Sequence, residues 1–264
     1  MWHRRASLAV IITRCVVLGC AWFGWAASLP ADLYKIMIAT DTYIDSYYDP
    51  DPDKSKDYNY GAHDRLRAVV NGPDDNSRTH ILLAQDIPSA IWNLPVSQIN
   101  AATLYLNQYG YTGTDGRPIS LYPLTSSFVE GSGKGKPDVS GATWGTSDGS
   151  TPWTPGGPYD SSKFVDSVGS GLGWWTWDLK PLWGDADLAA YGALLAIRPE
   201  TDVPSGGFLS GTFRSSDYST VGVRPYVELN VVPEPATGVL LLIASALTAG
   251  GALLRRRRRL AERE

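Results

Sequence analysis

Thr103-Leu104-Tyr105-Leu106-Asn107 and, far along the chain, Tyr226-Val227-Glu228-Leu229-Asn230 are the stretches on which the fold turns. In both, the residue character alternates with a period of two, as a strand with two unlike faces requires. Working outward, short runs rich in β-branched and aromatic residues recur between clusters of Gly, Pro, Asn, Asp and Ser. They predict further strands at Lys35–Ala39, Thr42–Ser46, Arg65–Val70, Thr79–Gln85, Ile119–Leu124, Trp174–Leu179, Gly192–Ile197 and Gly211–Arg214. No amphipathic helix of convincing length lies between residues 30 and 232, and no internal repeat is present. Pro181 to Ala190 reads as one short helical turn. Residues 128–164 form a long excursion rich in glycine and proline that holds Trp144 and Trp153; loops of this length in compact domains are functional or mobile. Many short strands with turn-rich joins predict an all-β, jelly-roll-like antiparallel β-sandwich over residues 29–232.

The formal net charge of −4 hides an asymmetry along the 264 residues. Arginines crowd both ends, and between residues 28 and 232 there remain 14 Lys and Arg against 24 Asp and Glu. Phosphate backbones need a basic footprint, so an acidic middle argues against nucleic acid as a partner. Both cysteines, Cys15 and Cys20, sit in the N-terminal apolar run. A chain trimmed beyond that run has no disulfide, no thiol nucleophile and no thiolate metal site.

The two ends carry their own signals. Residues 1–14 are short and basic, Cys15 to Ala27 is an apolar core of signal-peptide length, and Ala26-Ala27-Ser28 supplies small residues for signal peptidase. A signal peptide over residues 1–28 is therefore expected. Val17-Leu18-Gly19-Cys20 also fits a loose lipobox that would make Cys20 a lipidated N-terminus, but Trp22, Phe23 and Trp25 follow where lipoproteins turn polar. At the other end, Thr237 to Leu254 is uncharged and just long enough to span a bilayer as a transmembrane helix, and the arginines behind it would stay cytoplasmic. Physics alone gives an anchored, outward-facing domain. The order Pro233-Glu234-Pro235, apolar span, Arg255, Arg256, Arg257 and the arginines after them resembles the PEP-CTERM sorting signal over residues 233–264. That resemblance implies recognition by an exosortase, removal of the tail and release to the cell surface or extracellular matrix after transient anchoring in the inner membrane.

The middle resembles the DNRLRE domain, a group that includes an alginate-binding carbohydrate-binding module family, over roughly residues 38–231. The matching segments are Asp41-Thr42-Tyr43-Ile44-Asp45, Asn59-Tyr60-Gly61, Asp64-Arg65-Leu66-Arg67, Ile99 to Leu106, Glu130-Gly131 with Thr143-Trp144, Trp177-Asp178-Leu179, Phe213-Arg214-Ser215-Ser216-Asp217 and Arg224-Pro225-Tyr226-Val227-Glu228. Two departures stand out. Leu82-Leu83-Ala84-Gln85-Asp86-Ile87 lacks the family's Arg and Phe, and Phe128 stands where a tryptophan is usual before Glu130. The resemblance implies a polysaccharide ligand and leaves a structural calcium open, with no metal ligands assigned.

Seven tryptophans and all 14 tyrosines lie in the middle. Aromatic faces stack on sugar rings, yet they also fill sandwich cores. Trp144 and Trp153, in the glycine-rich excursion, are the tryptophans chosen as ligand contacts. In the 174–177 run Trp177 is assigned to the core, and Trp175 is placed on the face opposite Trp174 and Trp177. Arg65 and Arg67 share a strand face and could grip a uronate carboxylate bidentately; ion pairing with the domain's own carboxylates is the competing role. Asp49-Pro50-Asp51-Pro52-Asp53 lacks the glycine and distal glutamate of a calcium loop and reads as a solvated acidic segment. The histidines His3, His63 and His80 have no metal-type spacing, and no nucleophile elbow occurs. The expectation is a non-catalytic polysaccharide-binding module. A purely structural matrix protein is the alternative, and a polysaccharide hydrolase or lyase ranks behind both.

Overall fold

The computed structural model describes residues 32–46, 56–71, 77–84, 87–112, 118–137, 140–169, 171–198 and 208–232. Thirteen strands run through them: β1 (Asp32–Met37), β2 (Asp41–Asp45), β3 (Tyr58–Asn59), β4 (Arg65–Asn71), β5 (Arg78–Leu83), β6 (Ile99–Thr112), β7 (Ile119–Pro123), β8 (Lys136–Pro137), β9 (Val165–Val168), β10 (Gly173–Asp178), β11 (Ala193–Ile197), β12 (Phe208–Arg214) and β13 (Tyr226–Val231). Among the described residues helix is confined to short pieces, among them Ser89–Trp92 and Ala186–Tyr191. The all-β expectation holds. Residues Asp32–Val231 make up a unit by themselves.

The sandwich expectation is corrected. The antiparallel ladder runs β6-β10-β9-β7-β11-β5-β4-β12 and returns to β6, so eight strands close into a barrel. The cause is the length of β6, 14 residues where a five-residue strand was expected. Its first half pairs with β13, while its last residues pair with β12. Between Thr212 and Phe213 the register shifts, leaving Tyr109 as an extra residue between Gln108 and Gly110. A bulge of this kind bends and twists a strand, which lets one long strand turn a barrel's corner. β1 and β13 extend the sheet beyond the ring from β6, and β2 adds to β5.

Alternation then sorts the side chains. Ala102, Leu104 and Leu106 of β6 and Val227, Leu229 and Val231 of β13 join the interior cluster, and Trp175, Trp177 and Phe213 are buried with them. This corrects the reading of the tryptophan run: Trp175 and Trp177 share the inner face and Trp174 points outward, as a strict two-residue period demands. Trp177 is fully buried and donates its indole N–H to the Ile119 carbonyl at 2.7 Å.

β5, β7 and β11 are buried on both faces because a second cluster covers their outside. Ile44, Leu82, Tyr122, Leu124 and Leu194 lie beneath Phe128, Trp144, Trp153 and Tyr159 of the excursion. The long loop is thus a packed cover.

Among the described residues no helix is long and apolar enough to cross a membrane. The signal peptide 1–28, the sorting motif Pro233-Glu234-Pro235, the apolar span, Arg255 to Arg257 and the acidic segment 49–53 lie outside the described residues.

Candidate functional site

The site is built on the outward face of β4 and β12. In β4, Leu66, Ala68 and Val70 go to the core, so Arg65 and Arg67 point out. The register sets Arg214 directly opposite Arg65 and Thr212 opposite Arg67. Directly opposed residues of an antiparallel pair share a face, so three arginines gather there. The guanidinium of Arg214 lies 3.9 Å from the ring centre of Tyr109 and 3.8 Å from that of Tyr218. The bulge turns Tyr109 onto this arginine. Cation–π contact holds the guanidinium plane while leaving its N–H edge for other partners, and the buried Nε of Arg214 has no hydrogen-bond partner. Arg224 donates from its Nε to the Tyr218 carbonyl at 2.7 Å, fixing the turn that supplies Tyr218.

Within reach of Arg65 and Arg67, Tyr43, buried in the interior cluster, stacks on Tyr60 with ring centres 4.1 Å apart, and His63 sits 6.1 Å from Tyr43. Burial pushes the Tyr43 hydroxyl up to about 12, against the pull of the Arg67 and Arg65 charges and a hydrogen bond with Arg65. Burial, and then the Arg65 charge, lower the pKa of His63. No carboxylate among the described residues forms an ion pair with Arg65, Arg67 or Arg214. In a domain with so many acids, three cations with no ion pair among the described residues form a surface suited to an external carboxylate or sulfate.

Trp144 and Trp153 come together elsewhere. Both are half-buried over the outer cluster, the Trp153 indole donates to the Trp144 carbonyl at 3.1 Å, and the Trp144 ring lies 5.0 Å from His80. A methyl group on Gly156 would press on the Trp144 ring, so this glycine, at φ +92°, lets the loop close over it. These indoles hold the loop down.

The sequence reading passed over a second exposed group. Tyr105 and Tyr226 are cross-strand partners stacked at 4.6 Å and 8°, and Trp174 meets both edge-on, at 6.2 and 5.3 Å. Lys35 covers the Tyr226 ring at 3.8 Å. All three rings stand on strands legible in the sequence, and the two-residue period sends all three outward. Arg214, Tyr109 and Tyr218 were hidden for a different reason: they meet Arg65 only through long-range register.

Asp41, at the start of β2, is fully buried. Its Oδ2 accepts from Ser216 N at 2.7 Å, its Oδ1 has no partner, and its own amide donates to Glu130 Oε1 at 2.9 Å. Burial pushes its carboxyl up to about 8, helped by the charges of Glu130 and Asp217 and opposed by the bonds from Ser216. Among the described residues no three His, Cys, Asp or Glu side chains cluster as metal ligands. No protein-family model matches the chain, and no curated protein matches it.

Proposed function

We propose that this chain is an exported cell-surface or extracellular-matrix protein whose β-barrel domain binds an acidic polysaccharide without catalysis. The observation that carries this reading is the gathering of Arg65, Arg67 and Arg214 on one face, with no ion pair to a carboxylate among the described residues. A planar guanidinium held between two tyrosines matches a uronate carboxylate in shape and charge. Export rests on the two ends: signal peptidase removes residues 1–28, the span 237–254 anchors the chain in the inner membrane for a time, and an exosortase removes residues 233–264. The DNRLRE resemblance supports the same ligand class.

Affinity electrophoresis through gels containing polyuronate, a sulfated glycan or a neutral glucan tests the reading. Retardation by the acidic gels and its loss in an Arg65→Ala/Arg214→Ala variant are expected. A purely structural matrix role is favoured by one observation, that most of the tryptophans are packing groups. Migration unaffected by any of the three polymers would establish that role instead.

A further inference from the structure

We propose that the arginine face and the Tyr105–Trp174–Tyr226 group are two subsites of one track along β6, occupied together by a single extended uronate-containing chain. This inference rests on the function proposed above and adds the length and direction of the ligand.

The two groups share a strand. Tyr105, Asn107 and Tyr109 alternate with the inward Leu104, Leu106 and Gln108, so they line the outer face of β6 in sequence. Tyr105 belongs to the aromatic group, and Tyr109 touches Arg214. Asn107, between them, is the cross-strand partner of Trp174. At the rise of an extended strand, Tyr105 and Tyr109 are about 14 Å apart. That span exceeds one sugar ring and calls for a chain.

The chemistry differs at the two ends. At the arginine end, guanidinium edges can hold a carboxylate. At the other end Trp174 is 39 % exposed. Its indole N–H makes no hydrogen bond among the described residues, whereas those of Trp153, Trp175, Trp177 and Trp183 all donate to backbone carbonyls. An exposed indole with an unused donor, braced by two stacked tyrosines, offers a ring face and a hydrogen bond to a pyranose. A chain reaching both subsites gains from the second through effective concentration, with no new contact at the first.

The test uses the full chain in mild detergent and oligouronates from dimer to octamer, with binding read by calorimetry. Octamers are expected to bind at least about tenfold tighter than dimers, equivalent to about 1.4 kcal/mol. Trp174→Ala should erase that gain while dimer affinity stays as in the wild type, and Arg65→Ala/Arg214→Ala should lose both. Trp174→Phe, which keeps a ring and removes the N–H, should retain part of the gain and report that the barrel is intact. If the octamer gain survives in Trp174→Ala while the arginine variant loses binding, the track is overturned and the arginine site stands. If no oligouronate binds the wild type, the function proposed above falls, and the track with it.

Discussion

Asn59 Nδ2 donates to the carbonyl oxygen of Glu130 at 2.6 Å across 71 residues of sequence, and this bond ties the excursion to β3, which pairs with β8 in a small sheet of its own. The same amide also donates to Ala142 O at 3.1 Å, and its Oδ1 accepts from Gly61 N and Gly133 N at 3.1 and 2.8 Å. All the hydrogen-bonding capacity of this fully buried side chain is therefore used. Side chains on Gly61 or Gly131 would collide with Glu130 or Asn59, so both glycines are required by close approach.

Asn59→Ala leaves buried donors and acceptors without partners, each costing about 1–3 kcal/mol. A loss of about 3 kcal/mol or more is expected in urea denaturation. A change below about 1 kcal/mol would mean that the excursion is held by its aromatic contacts alone.

Asp41 sets a pH dependence of stability. Its carboxyl titrates near 8 in the fold, above the ordinary carboxylate value of 3.8, so the folded state holds the proton more tightly than the unfolded chain. Stability from this group is fully present below about pH 4, falls as pH rises toward 8, and stays low above it. Thermal midpoints should decline between pH 5 and 8.5, and Asp41→Asn should flatten that decline and melt higher than wild type at the alkaline end. Parallel curves for the two proteins would remove Asp41 from the explanation.

Much of the barrel was legible because burial repeats locally. The alternation in Leu104 and Leu106, and again in Val227 and Leu229, marks the inner face directly. Closure of the ring was not legible, because it depends on β6 continuing through Gln108-Tyr109-Gly110 and on a register shift against β12 that no local pattern announces. The same limit hid the site. Arg65 and Arg67 declare a shared face by their spacing, while Arg214 joins them only through the β4–β12 ladder. Trp144 and Trp153 look exposed in a glycine-rich segment, yet that segment folds back onto Leu82 and Leu194.

Trp153→Ala tests that folding back. The indole is half-buried and hydrogen-bonded, so its loss should cost about 2–3 kcal/mol, less than the 3–5 typical of a fully buried aromatic. Hydrogen exchange should quicken across residues 144–157, while retardation by polyuronate gels stays as in the wild type. Loss of retardation with unchanged exchange would return Trp153 to the binding surface.

Arg214→Lys separates shape from charge at the arginine face. Lysine keeps the positive charge but has no plane to lie between Tyr109 and Tyr218 and no fork for a carboxylate. Wild-type binding to polyuronate should weaken as salt rises, since exposed charges are screened over about 8 Å at physiological ionic strength and about 3 Å at 1 M. The lysine variant should show the same dependence on salt from a weaker starting affinity, lower by about tenfold, the equivalent of one charge-assisted hydrogen bond. Equal affinities for arginine and lysine would reduce the site to point charges and leave the tyrosine sandwich with a structural role only.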